Sequence, residues 1–454
     1  MKRKYCLLSL LLLFSIITNA QKPSPKKPNI IFILTDDMGY GDIGCFNGTY
    51  QTPNIDRFAS EGRKFTKYYS PSPICSPSRV GFMTGVHPAK WNITSFLQMK
   101  KDNRLCEQTD YLSRAAPTIA KLLKTNGYAT GHFGKWHMGG GRDVDDAPSI
   151  KEYGFDEYNS TWESPDPDPM ITATDWIWSD KDSVKRWNRT AYFVDKTLSF
   201  LLRHPNQPCF INLWPDDVHT PWVPDEQNSK PPLRETEENF KSVLKEYDIQ
   251  IGRLIEGIKK MGIAENTLII FTSDNGPLPS FKGNRAAGLR GTKLSLYEGG
   301  IRMPFIAWWP KTIKAGSVDS TSVITGTDML PSFCKIANVP SSVKISADGE
   351  DRSDVLLGKS SARNKTIYWE YGRNDSSFRY PPQAKDRSPN IALRQGKWKL
   401  IMNANGTNQQ LYDLDNDPNE QNNVYDSNKE LAAPLEKKLI EWRRTLPILI
   451  DSKK

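Results

Sequence analysis

Residues 29–42 read NIIFILTDDMGYGD. The unbroken apolar run Ile30 to Leu34 has the pattern of a strand buried on both faces, and its carboxyl end delivers two adjacent carboxylates, Asp36 and Asp37. Neighbouring anions at a strand end repel one another unless a cation or hydrogen bonds neutralise them.

The same grammar repeats outward from this stretch. TPNIDRFASEG (52–62) has helical spacing, with Ile55, Phe58 and Ala59 on one face and Thr52-Pro53 as start signals. A short strand around Lys64 to Tyr69 leads into SPICSPSRVGFMTG (72–85). APTIAKLLKTNGYATGHFGKWHMG (116–139) gives a helix with Ile119, Leu122 and Leu123 inward, a stop at Gly127, a strand, and a loop with Lys135 and His137. QPCFINLWPDDVHTP (207–221) is a further buried strand, ending near His219. An amphipathic segment from about Glu235 to Met261 precedes NTLIIFTSDNG (266–276), whose apolar run ends at Asp274 and Asn275. MPFIAWWP (303–310) adds a strand and TDMLPSFCKIANV (327–339) a helix.

Alternating strands and helices predict an α/β fold: a large, mostly parallel sheet flanked by helices, with ligands at the strand carboxyl ends. From about Lys344 the texture changes to short antiparallel strands, in KTIYWEYG, NIALRQGKWKLIMN and QQLYDLDNDPNEQNN, and a closing helix over Glu430 to Arg444. The expected division is a catalytic domain over 21–343 and a smaller C-terminal α+β subdomain over 344–454.

Residues 1–20 read as a secretion signal: Lys2, Arg3 and Lys4, then an apolar run from Leu7 to Ile17, then small residues before Gln21. That run is short of the roughly 20 residues of a spanning helix, so no stable membrane insertion is expected. The chain should work outside the cytoplasm, in a bacterial periplasm. The formal charge of +9 falls to about +6 once the three basic residues of the signal are removed (9 − 3). This suits an anionic partner, but Lys and Arg are scattered among acids, unlike a nucleic-acid-binding face. Besides Cys6 and Cys75, Cys45, Cys106, Cys209 and Cys334 allow one or two disulfides in an oxidising compartment, without a preferred pairing.

Asp36, Asp37, Asp274 and Asn275 are four hard oxygen ligands of the type calcium or magnesium prefers. One such pair alone would read as a cap or turn; two at strand ends favour a metal. Arg79, Lys135 and Lys293 lie in tight, Gly-rich surroundings, and a buried tetrahedral anion needs such converging donors. Of five histidines, His137 and His219 follow strands and suit proton transfer; His87, His132 and His204 read as structural.

Cys75-Ser76-Pro77-Ser78-Arg79, continued by GFMTG, resembles the signature of the type I sulfatase family of the alkaline phosphatase superfamily, and the similarity runs through nearly all of the mature chain. The resemblance implies a sulfuric ester hydrolase. Its Cys75 would be oxidised to formylglycine by a separate partner, a formylglycine-generating or anaerobic sulfatase-maturing enzyme. Asp36, Asp37, Asp274 and Asn275 would hold one calcium ion with residue 75. Arg79 would support the aldehyde hydrate, and Lys135, His137, His219 and Lys293 would grip the sulfate. One geminal hydroxyl would attack sulfur and the other expel sulfate. His219, assisted by Lys293, is assigned the leaving-group proton; His137 the base for the final collapse; Asp274 the first proton. Asp413, Asp415 and Asp417 do not make a calcium loop, because Pro418 stands where glycine is required.

The expected substrate is a sulfated carbohydrate with a terminal galactose or N-acetylgalactosamine. Arg142 and Asp143 are placed to bind sugar hydroxyls, and Trp162, Trp176 and Trp178 either stack on sugars or pack. The alternatives are a phosphodiesterase or phosphonate hydrolase of the same superfamily, or a catalytically silent glycan-binding homologue.

Overall fold

The computed structural model describes residues 27–230, 233, 235–374 and 377–447; the expected signal segment lies outside them. Nine strands form the large sheet: β1 (Asn29–Thr35), β2 (Arg63–Tyr69), β3 (Ala129–Gly134), β4 (Glu157–Ser160), β5 (Cys209–Trp214), β6 (Thr267–Ser273), β7 (Arg302–Trp308), β8 (Ser317–Asp319) and β9 (Ile324–Thr325). Their order is β4-β3-β5-β1-β6-β7-β2-β8, with β9 beside β2. Within this sheet only β7 runs against its neighbours.

β1 is central and wholly buried. Because side chains alternate along a strand, Ile30, Phe32 and Leu34 enter one core while Ile31 and Ile33 enter the other. The helices are α1 (Pro53–Glu61), α2 (Cys75–Thr84), α3 (Lys100–Leu105), α4 (Ile119–Thr125), α5 (Arg189–Arg203), α6 (Glu237–Lys260), α7 (Glu298–Ile301), α8 (Met329–Ile336), α9 (Ser353–Leu356) and α10 (Lys429–Arg444). The first core takes apolar residues of α2, α4, α8 and α9; the second takes those of α1, α5 and α6. α6 shows why the local sequence is helical: Thr236 caps the N–H of Asn239 at 3.2 Å, Glu237 and Glu238 sit in the first turn, and Lys259 and Lys260 in the last. The strand expected to end near His219 stops earlier, at Trp214, leaving residues 215–219 free to turn into the site.

β10 (Ile367–Glu370), β11 (Ile391–Gln395), β12 (Trp398–Met402) and β13 (Gln410–Asp413) form a separate antiparallel sheet in sequence order. One face carries Ala392, Ile401 and Tyr412 into a cluster with Tyr69, Cys75, Tyr297 and Ile301; the other is covered by Ala432, Leu435 and Leu439 of α10. Residues 345–357 still pack on the first core of the large sheet, so the core does not change hands at residue 344.

The disulfides that four thiols would allow do not form: every described cysteine is free. Cys334, Cys209 and Cys106 lie in three different clusters, and Cys45 follows the end of β1 while Cys209 begins β5, at the opposite edge of the sheet. Among the described residues no helix is long and apolar enough to cross a membrane.

Candidate active site

Register brings the acids together. Thr35 of β1 pairs with Ser273 of β6, so Asp36 and Asp274 leave neighbouring strands side by side. Asp37 follows at a φ of 57°, a left-handed conformation that folds it back over the strand end, where the N–H of Asp37 donates to Asp274 Oδ1 at 3.2 Å. Asn275 Nδ2 donates to Asp37 Oδ1 at 2.7 Å and to the Gly276 carbonyl at 2.8 Å. Only glycine fits at 276, since a Cβ there would stand 2.1 Å from the Gly299 carbonyl oxygen. All four oxygen-bearing residues are fully buried.

Buried carboxylates persist only with partners. Lys135, one residue beyond β3, donates to Asp36 Oδ2 at 2.8 Å. Lys293 contacts both oxygens of Asp37 at 2.7 Å; it precedes the reversed strand β7, whose amino end shares the edge occupied by the other strands' carboxyl ends. Arg79 Nη2 donates to Asp274 Oδ2 at 2.7 Å and its Nη1 to the Lys135 carbonyl at 2.7 Å. Burial alone would raise the carboxyl of Asp36, but Lys135, with His219, Arg79 and Lys293, holds it well below the usual range. Lys293 and His219 likewise outweigh burial at Asp37. At Asp274 burial wins, helped by Asp36 and opposed by Arg79, and its carboxyl is pushed up to about 7.

Cys75 begins α2, and Arg79, one turn later, lies on the same face. Pro77 sits in the first turn, where a missing N–H costs nothing. Ser78 Oγ donates to the Ser72 carbonyl at 2.7 Å and Ser76 Oγ accepts the N–H of Leu97 at 2.9 Å, pinning the start of the helix. Cys75 is 3% exposed. Burial pushes its thiol up to about 11 although Lys135 and Lys293 favour the thiolate, so an unmodified thiol here is protonated and a weak nucleophile at neutral pH.

The imidazoles flank this group. His219 Nδ1 donates to the Thr220 carbonyl at 2.6 Å, which leaves Nε2 as acceptor 3.3 Å from Lys293 Nζ and 3.5 Å from Asp37 Oδ2. Arg186, paired with Asp216, donates to the His219 carbonyl at 3.0 Å and fixes that turn. His137, at a φ of 51°, donates from Nε2 to the Leu97 carbonyl at 3.2 Å, so Leu97 ties it to Ser76. Burial pulls its pKa down to about 3, against the attraction of Glu163.

Glu163 is absent from the sequence reading, as are Arg186 and Asp216. Its carboxylate lies 3.3 Å from Lys135, 3.3 Å from His137 Nδ1 and 2.8 Å from Arg142. The signal was available: it stands three residues beyond β4, at the same sheet edge. Arg142 therefore reaches the site through Glu163, and its guanidinium lies 4.6 Å from the Trp162 ring. Asp143 is exposed, and its Oδ1 accepts the N–H of Lys100 at 2.9 Å at the start of α3. Trp162 and Trp178 are packed, whereas Trp176 is 58% exposed, 5.9 Å from Trp162. His87, His132 and His204 lie apart from these acids, in aromatic contacts with Trp442, with Trp136 and Trp214, and with Phe200.

Asp36 Oδ1 and Asn275 Oδ1 are buried acceptors with no hydrogen-bond donor, and Asp36, Asp37 and His219 bring ligand atoms within 4.8 Å of one another. Orphan oxygens beside anionic ones fit a hard divalent cation. Cations that remain charged at full burial, arranged around such acids and two imidazoles, suit the hydrolysis of a tetrahedral, anionic ester.

The chain belongs to the sulfatase family and is a sulfuric ester hydrolase: the Sulfatase profile matches residues 28–339, and the C-terminal profile of N-sulphoglucosamine sulphohydrolase matches 292–445. An N-acetylgalactosamine-6-O-sulfatase of Bacteroides thetaiotaomicron is 28% identical, over 90% of this chain and 92% of its own length. The mouse N-acetylgalactosamine-6-sulfatase is 30% identical, over 72% and 70%. A solved structure from work on glycosaminoglycan metabolism by Bacteroides thetaiotaomicron superposes with a TM-score of 0.76 at 25% identity, covering 92% of this chain and 99% of that one. Another, solved with a bound neocarrahexaose, gives 0.71 at 26%, covering 92% and 93%.

Proposed function

We propose that the protein removes O-sulfate from a sulfated carbohydrate, with a terminal galactose or N-acetylgalactosamine as the sugar, using formylglycine made from Cys75 and one calcium ion. The observation that carries this reading is the burial of Cys75 between Lys135 and Lys293, at the head of a helix that also presents Arg79 to the acids. The relatives named for N-acetylgalactosamine 6-sulfate support the sugar. A secreted, periplasmic location follows from reading residues 1–20 as a leader.

Asp36, Asp37, Asp274 and Asn275 would hold the ion, which supplies charge that polarises a sulfate oxygen and favours an ionised attacking oxygen. Formylglycine as its hydrate supplies two hydroxyls on one carbon, one to attack sulfur and one to release sulfate. Arg79, Lys135 and Lys293 offset charge on the sulfate oxygens. His219 Nε2 and Lys293 Nζ, 3.3 Å apart, share the proton destined for the departing sugar oxygen. His137 accepts a proton at Nδ1 as sulfate is freed, and Glu163, 3.3 Å away, stabilises the imidazolium. Arg142 and the exposed face of Trp176 would meet the sugar.

Desulfation of a panel of positionally sulfated sugars, set beside aryl phosphate diesters, tests the reading: release of sulfate is expected, and preferential diester cleavage would replace it. Intact mass of active enzyme should show a loss of about 18 Da at residue 75.

A further inference from the structure

A buried guanidinium outside the reacting set grips the backbone of Asp37. Arg285 is 1% exposed, and within residues 281–290 only it and Ala286 are buried. Its Nη2 donates to the Asp37 carbonyl at 2.7 Å and to Asp42 Oδ2 at 2.8 Å, and its Nε donates to Asp42 Oδ1 at 3.0 Å. Asp42 is fully buried and also accepts the N–H of Gly39 at 2.7 Å. The guanidinium carbon lies 4.2 Å from the centre of the Phe240 ring and 5.5 Å from that of Trp222, so the planar fork is held in one orientation.

Two loops meet at this group. Residues 36–42 leave β1 and carry Asp36 and Asp37; residues 276–293 leave β6 and end on Lys293. They touch backbone to backbone, since a Cβ on Gly39 would stand 2.0 Å from the Arg285 carbonyl oxygen. Asp37 is left-handed at a φ of 57°, a conformation that a residue other than glycine keeps only under constraint. Asp274 Oδ1 takes its N–H and Arg285 takes its carbonyl, so the peptide groups on both sides of its Cα are fixed. We propose that Arg285, held by Asp42, is a positioning residue for the cation-binding oxygens. It keeps the Asp37 carboxylate in reach of Asn275 and Lys293, and it ties the loop that ends on Lys293 to the loop that carries Asp37. The inference rests on the proposed divalent-cation site and adds to it a residue that acts through Asp37.

Calorimetric binding of calcium to wild type, Arg285→Lys and Arg285→Met/Asp42→Asn tests it. Lysine keeps a charge opposite Asp42 but lacks the planar fork, and the double change removes both charges, leaving no buried ion unpaired. Both variants should bind calcium about tenfold more weakly, and wild-type affinity in either would overturn the proposal. Hydrogen exchange on the metal-free protein reads the same turn without the ion: the amides of Asp37, Met38 and Gly39 should exchange faster in both variants while those of β1 keep their rates. Unchanged exchange at the turn would refute the proposal, and so would equal acceleration throughout β1, which marks a general loss of stability. If the wild type bound no calcium the cation site would fall, and the exchange rates alone would decide whether Arg285 holds the turn.

Discussion

At Glu163 one carboxylate answers two cations, Lys135 and Arg142, and the neutral imidazole of His137. Glu163→Gln leaves Lys135 and Arg142 without their shared counter-charge. Activity should fall by about 10- to 100-fold, and the imidazolium of His137, deprived of its counter-ion, should lose its proton at still lower pH; a pH–rate profile with an unmoved acidic limb would contradict the assignment. Cys75→Ala should abolish turnover while leaving the fold intact, and ordinary rates from that variant would end the nucleophile reading. At this scale the sequence was legible wherever a residue follows a plain apolar run, as Asp36, Asp37, Asp274 and Asn275 do. Glu163 escaped because β4, EYNS, is a half-exposed edge strand with no apolar signature. The bond from the Lys100 N–H to Asp143 at the start of α3 was hidden because it is a contact across 43 residues.

Among the elements, α2 is one that periodicity could not reveal. All ten of its residues are buried, so it has no polar face to set a 3.6-residue rhythm, and only the loop-like composition of CSPSR shows. β1, β6 and α6 were plain because each is either apolar throughout or striped on one side. α2 is also wedged: a Cβ on Gly81 would stand 2.5 Å from Cβ of Pro71. Gly81→Ala should cost about 1–3 kcal/mol in urea denaturation and lower kcat by shifting the head of the helix; full activity would mean that α2 can slide. Arg79→Ala removes the only guanidinium paired with Asp274 among the described residues, and breaking such a buried pair should cost about 3–5 kcal/mol.

For the molecule as a whole, the small sheet is fastened to the large one by charge as well as by apolar contact. Lys399 of β12 lies 2.8 Å from Glu298 of α7 and 2.9 Å from Glu420, while the Tyr69 hydroxyl donates to Glu298 at 2.7 Å and accepts from Arg394. Burial pushes the carboxyl of Glu420 up to about 7 despite Lys399. The fold therefore keeps a proton there that the unfolded chain has lost. The resulting stabilisation is complete below the unfolded value of about 4.5 and disappears as pH rises through 7. Glu298 acts in the opposite sense: Lys399, Arg302 and Arg394 outweigh burial and hold it low, so its contribution is lost as pH falls. Urea midpoints between pH 4.5 and 7 should accordingly fall less steeply in Glu420→Gln than in wild type, and an unchanged slope would refute this. No composition shift could disclose such a seam, since each partner is an ordinary charged residue until the sheets meet. The seam also sets a deadline. Residue 75 is closed in by Tyr69 and by the small sheet's neighbour Tyr371. The four strands of that sheet are encoded from Ile367 onward, 292 residues later (367 − 75). At ribosomal speeds of about 5–20 residues per second, the thiol leads its own cover by roughly a quarter of a minute to a minute. On the proposed reading, any catalyst that must grip this segment as an extended peptide has that head start in which to act, before folding shuts it out.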